Sequence, residues 1–240
     1  MHSRLIAAAH DALRQHGVTS GLDAVTLDGA ISDSGVPRGS AYKLWQSEEQ
    51  TPQDGFRRAV VLDILRTLPA STGLPSTESV YAEAVASIEH LDLDDPDQNA
   101  YALRELTRVV TAFNHLRLED GENWRIYGAL RSAALTRFGD DTEMLDAIRE
   151  GEEFLIRGYA DLYGSVAEML GWQLKDDLTL LEFSAVTFAL NEGLVHRLSD
   201  TFRRGGIQRP TGPDGEQREW TLYAIGFEAL VHAFWEKKPS

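Results

Sequence analysis

The sequence predicts an all-α fold, because of the spacing of its apolar residues and the residues that start and stop helices. Apolar residues recur at three- and four-residue intervals along most of the 240 residues, and no alternating strand pattern is sustained. Capping residues precede many of these segments, and glycines follow several of them. A hydrophobic content of 42% suffices for a sizeable core. We expect a small helical head at 1–68 and a larger helical domain at 69–240.

The head begins with a predicted helix from 4 to 16, which Gly17 ends. Its apolar residues, which share one face, are Leu5, Ile6, Ala9 and Leu13. A second long helix is predicted to begin at 51–54, where a threonine cap, a proline and a first-turn acid form a start signal. It continues to about Leu68, where the head ends.

Residues 26–45, TLDGAISDSGVPRGSAYKLW, predict two short helices joined by a tight turn. Thr26 is a plausible N-cap of the first short helix. Gly35 fits the left-handed position that follows a helix. Pro37 presets φ for the first turn of the second short helix, predicted at 38–44.

The outer face of that second short helix is small and polar. Gly39 and Ala41 keep it thin, so that a backbone could approach DNA closely, and Trp45 closes the segment as a core residue. The side chains able to donate to phosphates or base edges are Arg38, Ser40, Tyr42 and Lys43. An ordinary polar helix face, with Tyr42 in the core, is the alternative interpretation.

This succession of elements resembles the DNA-binding head of TetR-type transcriptional regulators. The residues that carry the resemblance are RLIAAAHDALRQHG, Thr26-Leu27, Gly35-Val36, Arg38-Gly39-Ser40 and Tyr42. It implies a helix-turn-helix head, a ligand-binding and dimerisation domain, and a homodimeric repressor that binds a pseudo-palindromic operator in double-stranded DNA. The implied DNA-contacting residues are Thr26, Ser40 and Tyr42 on phosphates, Arg38 and Lys43 nearer bases, and Gly39 beside them.

Further helix signals cover the larger domain. The predicted segments are 76–91, 95–113, 122–138, 142–170, 177–202 and 219–236. The last two are apolar on more than one face, which favours a partner subunit, although a deeply buried helix in a monomer would show the same pattern. The candidate dimer-interface residues are Phe188, Val195, Trp220, Tyr223, Phe227, Leu230 and Phe234. The glycine- and arginine-rich stretch 203–215 predicts a solvated loop.

The resemblance also implies a small-molecule effector pocket inside the larger domain. Candidate lining residues are the aromatic and polar side chains of its middle helices: Phe113, Trp124, Tyr127, Phe154, Tyr159, Phe183 and Asn191. Plain core packing is the alternative interpretation for each of them. The sequence does not indicate the chemical class of the effector.

The charge of the chain is unevenly distributed. The formal net charge is −15, while 1–68 holds seven basic and eight acidic residues, so almost all of the excess lies in the larger domain. Glu48 stands where the family pattern has a lysine, and a carboxylate there would repel phosphate. A dimeric small-molecule-binding protein with a weakened or lost DNA-binding head is therefore the second hypothesis.

An enzyme is not expected. The only acidic motif of note, the DxDD at 92–95, lies in a probable loop before a helix, where acids are common anyway. The seven histidines form no metal-binding spacing, and the absence of cysteine excludes disulfides and thiolate sites. We predict no cofactor, no metal and no membrane partner, and a cytoplasmic location, since no signal peptide or membrane-length apolar run is recognisable.

Overall fold

Helices dominate the computed structural model, which describes residues 1–17, 25–71, 77–120, 122–175, 177–195, 206–211 and 215–239. The predicted all-α class is confirmed. The helices are α1 (His2–His16), α2 (Leu27–Ser34), α3 (Arg38–Leu44), α4 (Pro52–Ser71), α5 (Thr77–Ile88), α6 (Pro96–Asp120), α7 (Glu122–Arg137), α8 (Thr142–Leu170), α9 (Leu180–Val195) and α10 (Leu222–Phe234). Short strands are β1 (Trp172–Leu174), β2 (Ile207–Pro210), β3 (Gln217–Trp220) and β4 (Trp235–Lys237).

The chain forms two compact units. The first contains Met1–Thr72 together with Gly121–Phe154, and the second contains Gly73–Asp120 together with Leu155–Ser240. The first unit therefore includes α7 and the beginning of α8 in addition to the four helices of the head. The domain boundary after residue 68 stays a prediction.

The first unit is built on α1 and α4. The apolar stripe of α1 is buried as its spacing predicts, and α4 buries Phe56, Val60 and Leu65. Gly17 ends α1 with a positive φ of 68°, and its N–H bonds the Leu13 carbonyl at 2.8 Å. Burial of these side chains is the main source of stability for a unit of this size.

A cluster of ion pairs joins α4 to the start of α8 within the same unit. The Arg58 guanidinium donates to both carboxylate oxygens of Asp141, at 2.6 and 3.0 Å, and to Glu143 at 2.6 Å. Arg66 also donates to Glu143, at 3.0 Å. The Arg58 guanidinium holds the pKa of the Asp141 carboxyl, and that of Glu143, below the usual range. Such bidentate pairs are among the stronger ionic contacts in proteins.

The second unit has an aromatic core. The Phe183 ring on α9 packs edge-on against Phe227, with centroids 5.7 Å apart, and against Trp235 at 5.4 Å. The Tyr163 ring lies 5.2 Å from Phe227, and burial raises the pKa of Tyr163 to about 12. The phenol therefore stays neutral at physiological pH and acts as a packing residue.

The strands correct two sequence predictions. β2 and β3 form an antiparallel hairpin with Ile207 opposite Trp220, so part of the stretch predicted as a solvated loop is a strand. The helix predicted at 219–236 begins only at 222, and β4 follows it and pairs with β1. Strands of three or four residues contain too few alternations to be recognised by period. The described part of the predicted helix 177–202 runs only from 180 to 195.

Most of the remaining helix predictions hold closely, but α6 extends seven residues beyond the predicted end at 113, and α5 ends at 88 instead of 91. α8 has the predicted bounds, and α7 ends within one residue of its expected position. Asp95 begins α6 as predicted, because its carboxylate accepts from the N–H groups of Asp97 and Gln98 at 2.9 and 3.1 Å. The predicted cap Ser76 lies outside the described residues. Among the helices that are described, none is long and apolar enough to cross a membrane.

Candidate nucleic-acid interface

The turn between α2 and α3 has the predicted geometry. The Thr26 hydroxyl accepts from the Gly29 N–H at 3.1 Å and caps α2. Gly35 adopts the left-handed conformation, with φ 64° and ψ 20°, and its N–H bonds the Ile31 carbonyl at 3.0 Å. Val36 is buried directly after this turn. The chain therefore leaves α2 in a fixed direction, which sets the position of α3.

Two long-range side-chain contacts secure α2. Gln53, on α4, accepts from the Leu27 N–H at 2.8 Å and donates to the Val25 carbonyl at 2.9 Å. Arg4, on α1, donates to the Ser34 carbonyl at the other end of α2. Both contacts satisfy backbone groups that a helix end leaves unpaired. The sequence carries no local signal for either, because the partners lie 26 to 30 positions apart.

α3 presents the predicted outer face. It begins after Pro37, which occupies the N-cap instead of the first helical turn, and whose carbonyl accepts from the Ser40 and Ala41 N–H groups at 3.0 Å. Ala41 is fully buried and fixes the inner side of the helix. Exposed on the outer side are Arg38, Gly39, Ser40 and Lys43, with Tyr42 half-buried.

Trp45 anchors the end of α3 against the core of the first unit. Its ring packs edge-on against Phe56 on α4, with centroids 5.0 Å apart, and lies 5.4 Å from the His2 ring. These ring contacts fix the position of the C-terminal end of α3 relative to α4.

Asp28 joins two of the candidate DNA-contacting residues. Its carboxylate accepts from Arg38 at 3.0 Å and from the Tyr42 hydroxyl at 2.9 Å, while Arg38 also reaches the Tyr42 hydroxyl at 3.3 Å. Hydrogen bonding to Tyr42, together with the Asp28 charge, raises the pKa of Arg38. Arg38 and Tyr42 are thus oriented by a carboxylate that also cancels one positive charge. Sequence reasoning missed this role of Asp28.

Acidic residues follow α3 directly. Glu48 and Glu49 are both exposed in the segment between α3 and α4. The positive charges on the outer face of α3 are Arg38, which Asp28 neutralises, and Lys43. Because counterion release from phosphates supplies most non-specific DNA affinity, this face offers a small electrostatic contribution.

The candidate effector residues are not brought together in one unit. Trp124 and Tyr127 are buried in the first unit, where Phe154 is 53% exposed on α8. The other four belong to the second unit: Phe113, Tyr159, Phe183 and Asn191. Asn191 is buried and its carbonyl oxygen lies 2.9 Å from Nδ1 of His115. None of the seven lines the cleft of about 480 Å³ between α6, β2 and α10 in the second unit.

The candidate dimer residues divide by exposure. Phe188, Trp220, Tyr223 and Phe227 are buried against the chain's own core, while Val195, Leu230 and Phe234 are partly exposed. Trp220 lies on β3 and not on the last helix, and its indole N–H donates to the Thr211 hydroxyl at 2.7 Å. The heptad-like spacing of these aromatics therefore marks the inner face of the second unit.

The DxDD motif has a structural role. Asp92 accepts from the Asp94 N–H at 3.1 Å, and Asp95 caps α6. In the part of the chain that the structure describes, no group of three or more His, Asp or Glu side chains could hold a metal ion.

One solved structure resembles the chain over its whole length. It is a crystal structure of a protein provisionally assigned to the TetR family of transcriptional regulators, from Mesorhizobium loti MAFF303099. The TM-score is 0.53 at 12% sequence identity, and the match covers 97% of this chain and 96% of the other. No family model and no curated protein matches the sequence. The likeness establishes the overall fold: a helix-turn-helix head followed by further helices.

Proposed function

We propose that this protein is a DNA-binding transcriptional regulator that binds a pseudo-palindromic operator as a homodimer and responds to a small molecule. The single observation that carries the proposal is the α2–turn–α3 geometry, with Gly35 in the left-handed conformation and the outer face of α3 exposed. A repressor is the simplest form of such a regulator. Its effector would favour a state that binds DNA less well, by the same factor that DNA disfavours the effector.

The residues we propose for base contact are few. Lys43 and Ser40 are exposed, and none of the side-chain contacts described above involves them. Arg38 bonds Asp28, and it must leave that carboxylate before it can donate to DNA. Gly39 leaves room for the helix backbone to approach the groove, since no atom of the protein lies near the position of an added Cβ. The Thr26 hydroxyl oxygen accepts from the Gly29 N–H, and its O–H can still donate to a phosphate without breaking that cap.

Selection from a random double-stranded DNA library tests the proposal. At low salt the wild-type protein is expected to enrich a two-fold symmetric sequence with half-sites about one helical turn apart. Lys43→Ala should weaken binding to the selected site, and Lys238→Ala, a change of the same charge at an exposed residue of the second unit, should not. Failure to enrich any symmetric sequence would overturn the regulator proposal.

The homodimer is proposed to form through α9 and α10. Their outward side carries small or apolar exposed residues: Val186, Ala189, Gly193, Ala229 and Ala233. α9 and α10 approach each other closely, because a Cβ at Gly226 would lie 2.9 Å from Leu190. Flat apolar helix faces of this kind suit a four-helix contact between two copies.

Sedimentation velocity tests the dimer. Ala229→Glu is expected to shift the protein from dimer to monomer, because it places a charge in the centre of the proposed contact. The matched control is Leu135→Glu, which changes an exposed apolar residue on α7 and should leave the dimer intact. A wild-type monomer at micromolar concentration, or a dimer insensitive to Ala229→Glu, contradicts this interface.

A second candidate function is a dimeric small-molecule-binding protein that no longer binds DNA. The observation that favours it is the acidic surroundings of α3, where Asp28 occupies Arg38 and Tyr42 while Glu48 and Glu49 are exposed. In that case the library selection returns no operator, while the dimer persists in sedimentation.

A further inference from the structure

A cleft of the second unit is lined by α6, β2 and α10 and has a volume of about 480 Å³. Its walls combine apolar residues of α6 and α10 with a group of charged side chains at one end. The lining residues that the argument uses are Leu103, Arg104, Thr107, Arg209, Glu228 and Val231.

Two arginines and one carboxylate form the charged end. The Arg104 Nε donates to one oxygen of Glu228 at 2.8 Å, and the Arg209 Nη1 donates to the other at 2.6 Å. Glu228 is only 8% exposed, so its carboxylate has little contact with water, and the two arginines compensate the cost of burying it. Two guanidinium groups face this one buried carboxylate, while the second carboxylate of the lining, Asp97, is exposed.

The free donors of the arginines point to an anion. Within the described residues, both Nη groups of Arg104, and the Nε and Nη2 of Arg209, have no hydrogen-bond partner. Each oxygen of Glu228 already accepts from one arginine. The other titratable side chains of the cleft, Asp97 and His232, are exposed. Arginine forks bind carboxylates in planar, charge-assisted pairs.

The arginines are held in place before any ligand binds. Both guanidinium groups lie over the Trp220 ring, at 5.3 Å for Arg104 and 4.9 Å for Arg209. Trp220 is itself fully buried and fixed by its hydrogen bond to Thr211. A nearby pair of arginines, Arg108 and Arg218, is engaged separately by Glu105. Preorganised donors of this kind lose little side-chain entropy on binding.

An apolar recess continues from the same cleft. It shares Leu103, Thr107 and Val231 with the charged end and extends to Val110 and Phe227. A ligand that places an anionic group on the arginines can therefore lay a short hydrocarbon chain along α6 and α10. Burial of each methylene there adds to affinity.

We propose that this cleft binds an organic monocarboxylate with a short apolar chain. Its carboxylate bonds Arg104 and Arg209 beside Glu228, and its chain lies in the cleft against Leu103 and Val231, with the recess of about 30 Å³ able to take at most the end of the chain. As the site of the effector this inference rests on the proposed regulator function, whereas the binding itself is measurable without DNA.

Isothermal titration calorimetry with octanoate tests the proposal on the full chain. Wild-type protein is expected to bind octanoate with one site per chain, and to bind the neutral octan-1-ol at least about tenfold more weakly, because only the carboxylate engages the arginines. Arg209→Gln and Arg104→Gln should each weaken octanoate binding by about tenfold or more. Arg149→Gln, an exposed ion-paired arginine in the first unit, is the matched control and should bind as wild type does.

Circular dichroism verifies that each variant is folded, and the comparison of octanoate with octan-1-ol needs no variant at all. Equal affinity for the two ligands, no binding of octanoate, or unchanged binding in both folded arginine variants would overturn the proposal. Its failure is distinguishable from that of the regulator function, because the library selection is carried out without ligand. An octanoate site in a protein that selects no operator would support the cleft and reject the regulator.

Discussion

Asp28 controls the chemistry of the outer face of α3 at the scale of single residues. Its carboxylate takes up hydrogen-bond donors of both Arg38 and Tyr42, the two largest side chains of that face. All three side chains are at the surface, so the pair Arg38–Asp28 contributes little to stability. The Arg38–Asp28 pair instead limits which further groups Arg38 can bind. DNA must displace Asp28 before Arg38 can bond a base edge or a phosphate.

Asp28→Asn is expected to raise DNA affinity by about fivefold, because it removes a charge that competes with DNA for Arg38. Fluorescence anisotropy with the selected operator measures the change. Asp33→Asn removes the same charge from the same helix without touching Arg38, and should have a smaller effect. A weaker complex for Asp28→Asn would show instead that Asp28 orients Arg38 productively.

The turn after α2 is the feature that matters most at the scale of elements. Gly35 is left-handed, whereas Gly39, four residues later, lies in α3 with open space around its Cβ position. Two glycines in the same motif thus have different functions. One sets the direction of the chain, and the other keeps the exposed face of α3 thin.

Gly35→Ala is expected to lower the free energy of unfolding by about 1 kcal/mol, because a Cβ is disfavoured at positive φ. Gly39→Ala should leave stability equal or slightly higher, since alanine favours a helix, yet weaken operator binding through the added methyl group. Urea denaturation and anisotropy separate the two effects. Equal stability losses in both variants would contradict this division of roles.

The ion pairs between α4 and the start of α8 are a second element-scale feature, and they predict a pH dependence. Arg58 depresses the pKa of Asp141, so the stabilisation is present above the ordinary carboxyl pKa and is lost as the pH falls through the lowered value. Asp141→Asn keeps a capping side chain for α8 and removes only the charge. We expect a loss of about 1–2 kcal/mol at pH 7.

Denaturation of Asp141→Asn and wild type at several pH values measures this contribution. The difference between them should begin to shrink below about pH 4, the ordinary carboxyl pKa, and disappear once the pH has fallen through the lowered pKa of Asp141, where the wild-type carboxylate is protonated as well. Asp146→Asn, which breaks an exposed ion pair with Arg149 on α8, is the control and should cost little. A pH-independent difference would mean that charge is not what Asp141 contributes.

Charge is the property that matters at the scale of the whole molecule. The chain carries a formal net charge of −15, and the head is close to neutral. Operator affinity must therefore come from a few directed contacts, doubled by two-fold symmetry, and not from a broad basic surface. Long-range attraction to DNA should accordingly be weak and depend little on salt.

Glu48→Lys tests this charge argument. It is expected to raise affinity for all DNA sequences alike and to steepen the slope of log affinity against log salt by about one, if the new lysine contacts a phosphate. Anisotropy titrations over a range of salt concentrations give the slope. Unchanged affinity for random DNA would show that Glu48 does not face the DNA backbone.

A structural feature of this protein could be predicted from the sequence when the residues that form it lie close together along the chain. Thr26 and Gly35 were predictable because caps and turns involve neighbours within a few residues. Asp28, Gln53 and Arg58 were not, since their partners are 10 or more positions away and only the folded chain brings them together. The strands are too short for a recognisable period.

The aromatic spacing of α10 is a second example of what the sequence alone could not predict. Its period revealed a helix with a strongly apolar face, but nothing in a single helix says whether that face meets its own chain or a partner. Tyr223 and Phe227 meet their own chain. The stretch that contains β2 was likewise predicted to be a solvated loop. The sequence could not show otherwise, because Arg209 on β2 pairs with Glu228 on a separate element, α10.

Because Tyr223 and Phe227 are buried within their own chain, the core of the second unit forms without a partner subunit. Each chain completes its aromatic core alone, and the outside of α9 and α10 carries small or apolar residues. In the proposed dimer each chain would therefore fold without waiting for a partner. Its thermal midpoint should rise with protein concentration from the value of an already folded monomer, and subunits should exchange between dimers without unfolding.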